Sequence, residues 1–229
     1  IHQEMPKGDA RGRMGGFQLW ANLPSSHKMM DPRYRDVKRG EIPEVSTEGG
    51  AKVKIICGRI NGVQGPVRDI VTDPEYLDVA VPKGVRFTHP VKRGHTVFAY
   101  VIRGSAYFDS GRDPYAREEV GRNYFDMERD CLCGPENLVH YGDGDAVSIT
   151  AEKEPVRFLL VSGKPIGEPV AQYGPFVMND QAGIEQLASS AQSLSAVTEQ
   201  TNLEVSSQKE ETEQVATAMN QMTATVHDV

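Results

Sequence analysis

A strand that is apolar on both faces needs a layer of protein on each side, and one stretch of this chain imposes that demand. In Gly94–Asp109, GHTVFAYVIRGSAYFD, the residues Val97, Ala99 and Val101 alternate with Phe98, Tyr100 and Ile102. Successive side chains point to opposite faces, so neither face suits water. The stretch predicts two strands folded back on each other within a closed or sandwiched sheet. Arg103-Gly104 would be the reversal, because glycine takes a positive φ at little cost.

Neighbouring segments supply the rest of such a sheet. AKVKIICG (51–58), YLDVAV (76–81), DAVSI (145–149) and PVRFLLVSG (155–163) are short, rich in β-branched residues and bounded by Gly, Pro or Asp. That spacing predicts a mainly β chain built as a jelly-roll barrel. Residues 113–140 are its least sheet-like part. GFQLWAN (16–22) alternates Phe17, Leu19 and Ala21 with Gln18, Trp20 and Asn22, as a half-buried strand does. Residues 23–45, with Pro24, Pro32 and Pro43, read as an extended surface linker carrying an exposed His27.

The net charge of −7 is concentrated at one end: residues 180–229 hold eight acids and a single base, Lys209, so the first 179 residues sum to zero. A neutral globular part with an acidic tail argues against a nucleic-acid surface, which needs a local basic excess. Beyond residue 180 there is no Pro and one Gly, Gly183, which marks a domain boundary. No apolar run approaches the ~18 residues of a membrane span and no signal leader is evident, so the expected compartment is the cytoplasm. Cys57, Cys131 and Cys133, an odd count without the spacing of a disulfide framework, fit a reducing milieu.

At the amino end, IHQEMP places His2 and Glu4 on one face of an extended segment. An imidazole beside a carboxylate is half of a facial site for Fe(II), although composition alone favours the plainer reading, a strand end with two solvated polar side chains. The segments IHQEMP, GGFQLWANLPSSHKMMDPRY, EIPEV and GEPVAQYGPFVMN (167–179) resemble the pirin family over residues 1–179. The resemblance implies a bicupin with one metal, usually iron, held in its N-terminal barrel by three His and one Glu. It sets His2 and Glu4 on the family's His-x-Glu pair of ligands. Residues 1–22 would then be a remnant of the N-terminal cupin, 23–45 the inter-domain linker, and 46–179 the C-terminal cupin with its tail. The family's first histidine pair has no counterpart here. Two ligands on one strand do not hold iron firmly, so the metal site is expected to be incomplete unless another chain completes it.

The second barrel is expected to be metal-free, as the resemblance also implies. Setting Gly104 in the glycine slot of the general cupin pattern puts Val97 where its Glu would stand, and Val91 and Arg93 where its histidines would stand. His89 and His95 lie six apart around Gly94, a poor spacing for chelation. Cys131, Cys133 and His140 lack the spacing and the fourth ligand of a structural zinc site, and buried or half-buried thiols are the better reading.

A different period governs the tail. Ile184, Leu187, Ala191, Leu194, Thr198, Thr201, Val205, Gln208, Thr212, Val215 and Met219 recur at alternating steps of three and four, and the pattern continues to Val229. This is the heptad seam of a coiled-coil helix ~69 Å long. Its small and polar members suit the interior of a four-helix bundle better than a two-stranded zipper. IEQLASSAQSLSAVTEQTN and QKEETEQVATAMNQMTATVHDV resemble the signalling helix of a methyl-accepting chemotaxis protein. That resemblance implies methylated side chains, with Glu210, Glu211, Glu213 and Gln214 nearest; methylation would remove charge from a self-repelling bundle. The plainer reading is a solvated acidic helix. Such a helix is expected to project from the barrel, to fray, to lie on the barrel, or to pair with a copy of itself.

For function, the pirin resemblance implies an iron-binding regulatory protein with quercetin 2,3-dioxygenase activity, in which Glu4 would be both metal ligand and catalytic base. With half a ligand set, the chain is expected to keep a surface for a protein partner and to lack the chemistry. Two readings stand beside this one: a fragment of a chemotaxis transducer acting as a helical interaction module, and a truncated fusion without function.

Overall fold

The computed structural model describes residues 8, 10–109, 132–174 and 176–227, with side chains described as far as residue 219. It divides into two compact units, Ile1–Gly167 and Glu168–Val229.

The first unit is an antiparallel β structure. Its larger sheet is assembled from β1 (Glu44–Ser46), β2 (Lys52–Cys57), β5 (Glu75–Val81), β7 (Thr96–Arg103), β8 (Leu138–His140) and β10 (Val156–Gly163), in the order β1-β2-β5-β10-β7-β8. A second sheet pairs β6 (Val85–Pro90) with β9 (Ala146–Ala151). A short hairpin of β3 (Arg59–Ile60) and β4 (Val63–Gln64) turns at Asn61-Gly62, both with positive φ (48° and 80°), the turn conformation that this dipeptide favours. The period-two alternation becomes burial: Leu77, Val79 and Val81 of β5, Val97, Ala99 and Val101 of β7, and Phe158 and Leu160 of β10 point inward together. Phe158, fully buried, meets Phe108 edge-on at 5.3 Å and Phe87 of the smaller sheet at 6.2 Å.

Two expectations change. The Gly94–Asp109 stretch is not a hairpin. β7 pairs with β10 and β8, whereas Ala106 and Tyr107 bridge to Cys133 and Thr150. Gly104 (φ 69°) therefore turns a corner from one sheet to the other, where the backbone of Pro155 leaves no room for a Cβ. Residues 16–22 also form no strand: period two prepares a segment for pairing but does not supply a neighbouring ladder. Phe17 instead sets its ring edge against Tyr100 at 5.4 Å and remains 54% exposed.

The second unit consists of a hairpin, β11 (Ala171–Tyr173) with β12 (Phe176–Met178), followed by α1 (Gln181–His227). Asp180 caps the helix, its Oδ1 accepting the Gly183 N–H at 2.8 Å. Ile184 in the first turn is buried, but every side chain from Ser189 to Met219 is exposed. The division at Gly167 falls upstream of the composition change near residue 180. Asn179 Nδ2 donates to Glu168 Oε2 at 2.8 Å, tying the hairpin to the start of the helix. No described helix is long and apolar enough to cross a membrane.

Candidate functional site

The barrel interior is mainly apolar; apart from Ser105, whose hydroxyl donates to Glu154 beside the Gly104 corner, its buried polar side chains among the described residues gather at the other end, where three strands deliver polar groups in register. β5 begins with Glu75 on the face that buries Leu77, and β10 finishes with buried Ser162 paired to Glu75 on one side and Val97 on the other. β6 brings in His89 two residues after inward-facing Phe87, with the two rings near parallel and 6.1 Å apart. Across the gap between the sheets, His89 Nε2 lies 2.7 Å from Glu75 Oε2, with the side chains only 8% and 18% exposed. Gly58 makes the space, since a Cβ there would stand 2.8 Å from Glu75 Cγ.

Two further polar atoms are buried at this end with no hydrogen-bond partner among the described residues: His95 Nδ1 and the Tyr141 hydroxyl. Tyr141 follows β8, and its N–H donates to the Val97 carbonyl at 3.0 Å. Burial, followed by the proximity of Cys133 and Asp109, pushes the Tyr141 phenol well above its ordinary range. Cys57 is likewise held as a thiol: burial raises its pKa, and Sγ donates to the Pro74 carbonyl at 3.1 Å.

A histidine oriented by a carboxylate is the arrangement of a general base, but such a base needs room for a substrate beside it. Two clefts among the described residues are open grooves lined by α1 side chains alone, not entrances to the barrel. Nor do the described residues fit an iron. Among them no three His, Cys, Asp or Glu side chains converge, and Glu75 and His89 already satisfy each other.

His2 and Glu4 lie outside the described residues, as does Cys131. Cys133 is half-buried and His140 is exposed on β8. Glu210, Glu213 and Gln214 share one exposed groove of α1 with Thr217, and Glu211 is exposed on the same helix. The sequence reading gives no strand over 85–90, and without β6 nothing brings His89 to Glu75. The alternation of Val85, Phe87 and His89 with Arg86 and Thr88 was the available signal.

Comparison with known proteins follows the same lines. The family model for the pirin C-terminal cupin domain matches residues 76–194, running from β5 into α1. The chain is 38% identical over 187 residues to a pirin-like protein of Caulobacter vibrioides, covering 81% of this chain and 60% of that one. It is 36% identical over 188 residues to pirin of Homo sapiens, covering 81% and 58% respectively. The chain thus spans about three fifths of the length of these curated relatives. A crystal structure of quercetin 2,3-dioxygenase from Acinetobacter baumannii superposes with a TM-score of 0.61 at 26% identity, over 74% of this chain and 52% of that one. A structure from Geobacillus kaustophilus (TM-score 0.51, 23% identity, 66% and 54% coverage) shares the fold. With a filled cupin barrel, a family-model match over more than half its residues and these relatives, the chain belongs to the pirin family.

Proposed function

We propose that this chain is the scaffold and partner-contacting portion of a pirin-type bicupin, and that the iron chemistry associated with such proteins does not take place in its described barrel. The observation that carries this reading is the Glu75–His89 pair: among the described residues, the barrel's one buried acid–imidazole contact is spent internally, at 2.7 Å, beneath a packed apolar core. Fe(II), where bound, would depend on His2 and Glu4 together with ligands not among the described residues. Bound there, it would supply the oxygen-activating chemistry of a quercetin 2,3-dioxygenase. Within the barrel, Glu75 and His89 hold the two sheets together at the polar end, and the apolar core above them excludes water.

The test is iron content after anaerobic loading of the purified chain, compared across His2→Ala and His89→Ala. Whatever iron the chain retains should be lost with His2→Ala and unchanged with His89→Ala. Stoichiometric iron that survives His2→Ala and disappears with His89→Ala would overturn the reading.

The seam of α1, exposed from Ala191 to Met219, favours a second reading, a helical interaction module of the chemotaxis-transducer type, with Glu210, Glu211, Glu213 and Gln214 as modification sites. Mass shifts of one methyl group on these side chains after incubation with a receptor methyltransferase would support it. An unmodified helix would count against it.

A further inference from the structure

α1 presents a continuous seam that nothing in its own unit covers beyond the first turns. Ile184, Ala191, Thr198, Val205, Thr212 and Met219 fall at one seam position of the heptad, and Leu187, Leu194, Thr201, Gln208 and Val215 at the other. The exposed apolar members are large losses to water: Leu194 is 64%, Val205 58% and Val215 59% exposed.

The threonines that make this seam look polar are already satisfied within the helix. Thr198 Oγ1 donates to the Leu194 carbonyl at 2.9 Å, Thr201 to Val197 at 2.9 Å and Thr212 to Gln208 at 2.7 Å. Each hydroxyl turned back to its own backbone leaves its methyl group for the seam, which lowers the cost of burying it and weakens the preference for a four-helix interior that the residue types alone suggest.

The flanking charges choose a partner and a direction. Lys209 is the only base on α1, and it lies on one flank of the seam; Glu204 lies on the other, five residues earlier. In a parallel, in-register pair each such flank residue faces the residue five further on in the other copy, which sets Glu204 against Lys209 twice by symmetry. Glu204 Oε1 accepts a bond from Gln200 at 2.9 Å, and its second oxygen remains for the ammonium. The other cross-pairs between Ser190 and Ala216, namely Ser190 with Ser195, Val197 with Asn202 and Glu211 with Ala216, bring no like charges together. An antiparallel pair would set the lysine flank against itself. That flank holds Ala188, Ser195, Asn202, Lys209 and Ala216, with no acid to receive the lysine.

We propose that α1 docks with α1 of a second copy of this chain as a parallel, in-register two-stranded coiled coil, bridged by Glu204 and Lys209. Gln208 meets its own counterpart in the seam, where a polar pair resists slippage of the register. The proposal is independent of the iron reading.

Sedimentation velocity of the full chain at micromolar concentrations tests it. A dimer is expected, and a monomer or a tetramer overturns it. Lys209→Glu should raise the dissociation constant about tenfold by replacing two attractions with two repulsions. The doubly reversed Glu204→Lys/Lys209→Glu should restore it; an unchanged constant in the single variant overturns the bridge. Ala191→Cys should give an oxidised covalent dimer beyond any formed by the unsubstituted chain. A dimer that fails to cross-link there overturns the parallel register.

Discussion

The barrel and the helix solve the same problem in opposite ways. In the barrel, β7 has a neighbour on each side and a packed interior on one face, so that Val97, Ala99 and Val101 lose nearly all contact with water. In α1, residues with the same apolar character, Leu194, Val205 and Val215, remain more than half exposed. Non-local pairing lets a strand find its cover within its own chain. A long helix with a seam on one side must obtain its cover elsewhere, because most helical stability comes from packing an apolar face. The comparison teaches that the described strands of the first unit cover their apolar residues within their own chain, whereas the apolar seam of α1 stays open, as the proposed pairing of two copies requires.

The largest effect that would sharpen this contrast is in the barrel core. Phe158→Ala should cost ~3–5 kcal/mol, because Phe87 and Phe108 would face a cavity that the two sheets cannot collapse into. Chemical denaturation followed by backbone circular dichroism measures it. A loss below ~1 kcal/mol would mean that the interior is loosely packed and the contrast with α1 overstated.

Gly104→Ala should cost at least ~2 kcal/mol, since the left-handed backbone at φ 69° disfavours a side chain and Pro155 occupies the space of its Cβ. The same denaturation experiment reads it. A near-neutral result would show that the corner between the sheets can relax.

Tyr141→Phe should have the smallest effect and the opposite sign. Removing a buried hydroxyl that has no partner among the described residues should be neutral or stabilising by ~1 kcal/mol at neutral pH. The phenol's pKa is raised in the folded state, so its contribution to stability is complete below the unfolded value near 10.0 and is lost as pH rises above it. The variant should accordingly lose less stability than the parent above that pH. Cys57 and Tyr76, also raised, titrate in both proteins and cancel in the difference.

Much of this architecture was legible. β2, β5, β9 and β10 declared themselves through β-branched alternation between turn residues, and α1 through an unbroken heptad pattern. What was not legible depended on partners. Residues 16–22 carry the period of a strand but lack a ladder. β6 hides its period behind Arg86, Thr88 and a terminal Pro90, which is tolerated because, among the described residues, β6 pairs only with β9. The Glu75–His89 contact joins two sheets across fourteen residues of sequence, and no spacing rule anticipates a bond made by folding one sheet over another.

The claim that one unit stands alone while the other needs a partner is tested most directly by backbone hydrogen exchange of the full chain over about a hundredfold dilution. The amides of β7 and β10 should keep their protection at every concentration, while those of α1 between Ser189 and Met219 lose theirs as the protein is diluted. Protection of α1 that does not change with concentration, or protection of β7 and β10 that falls along with it, would contradict the account.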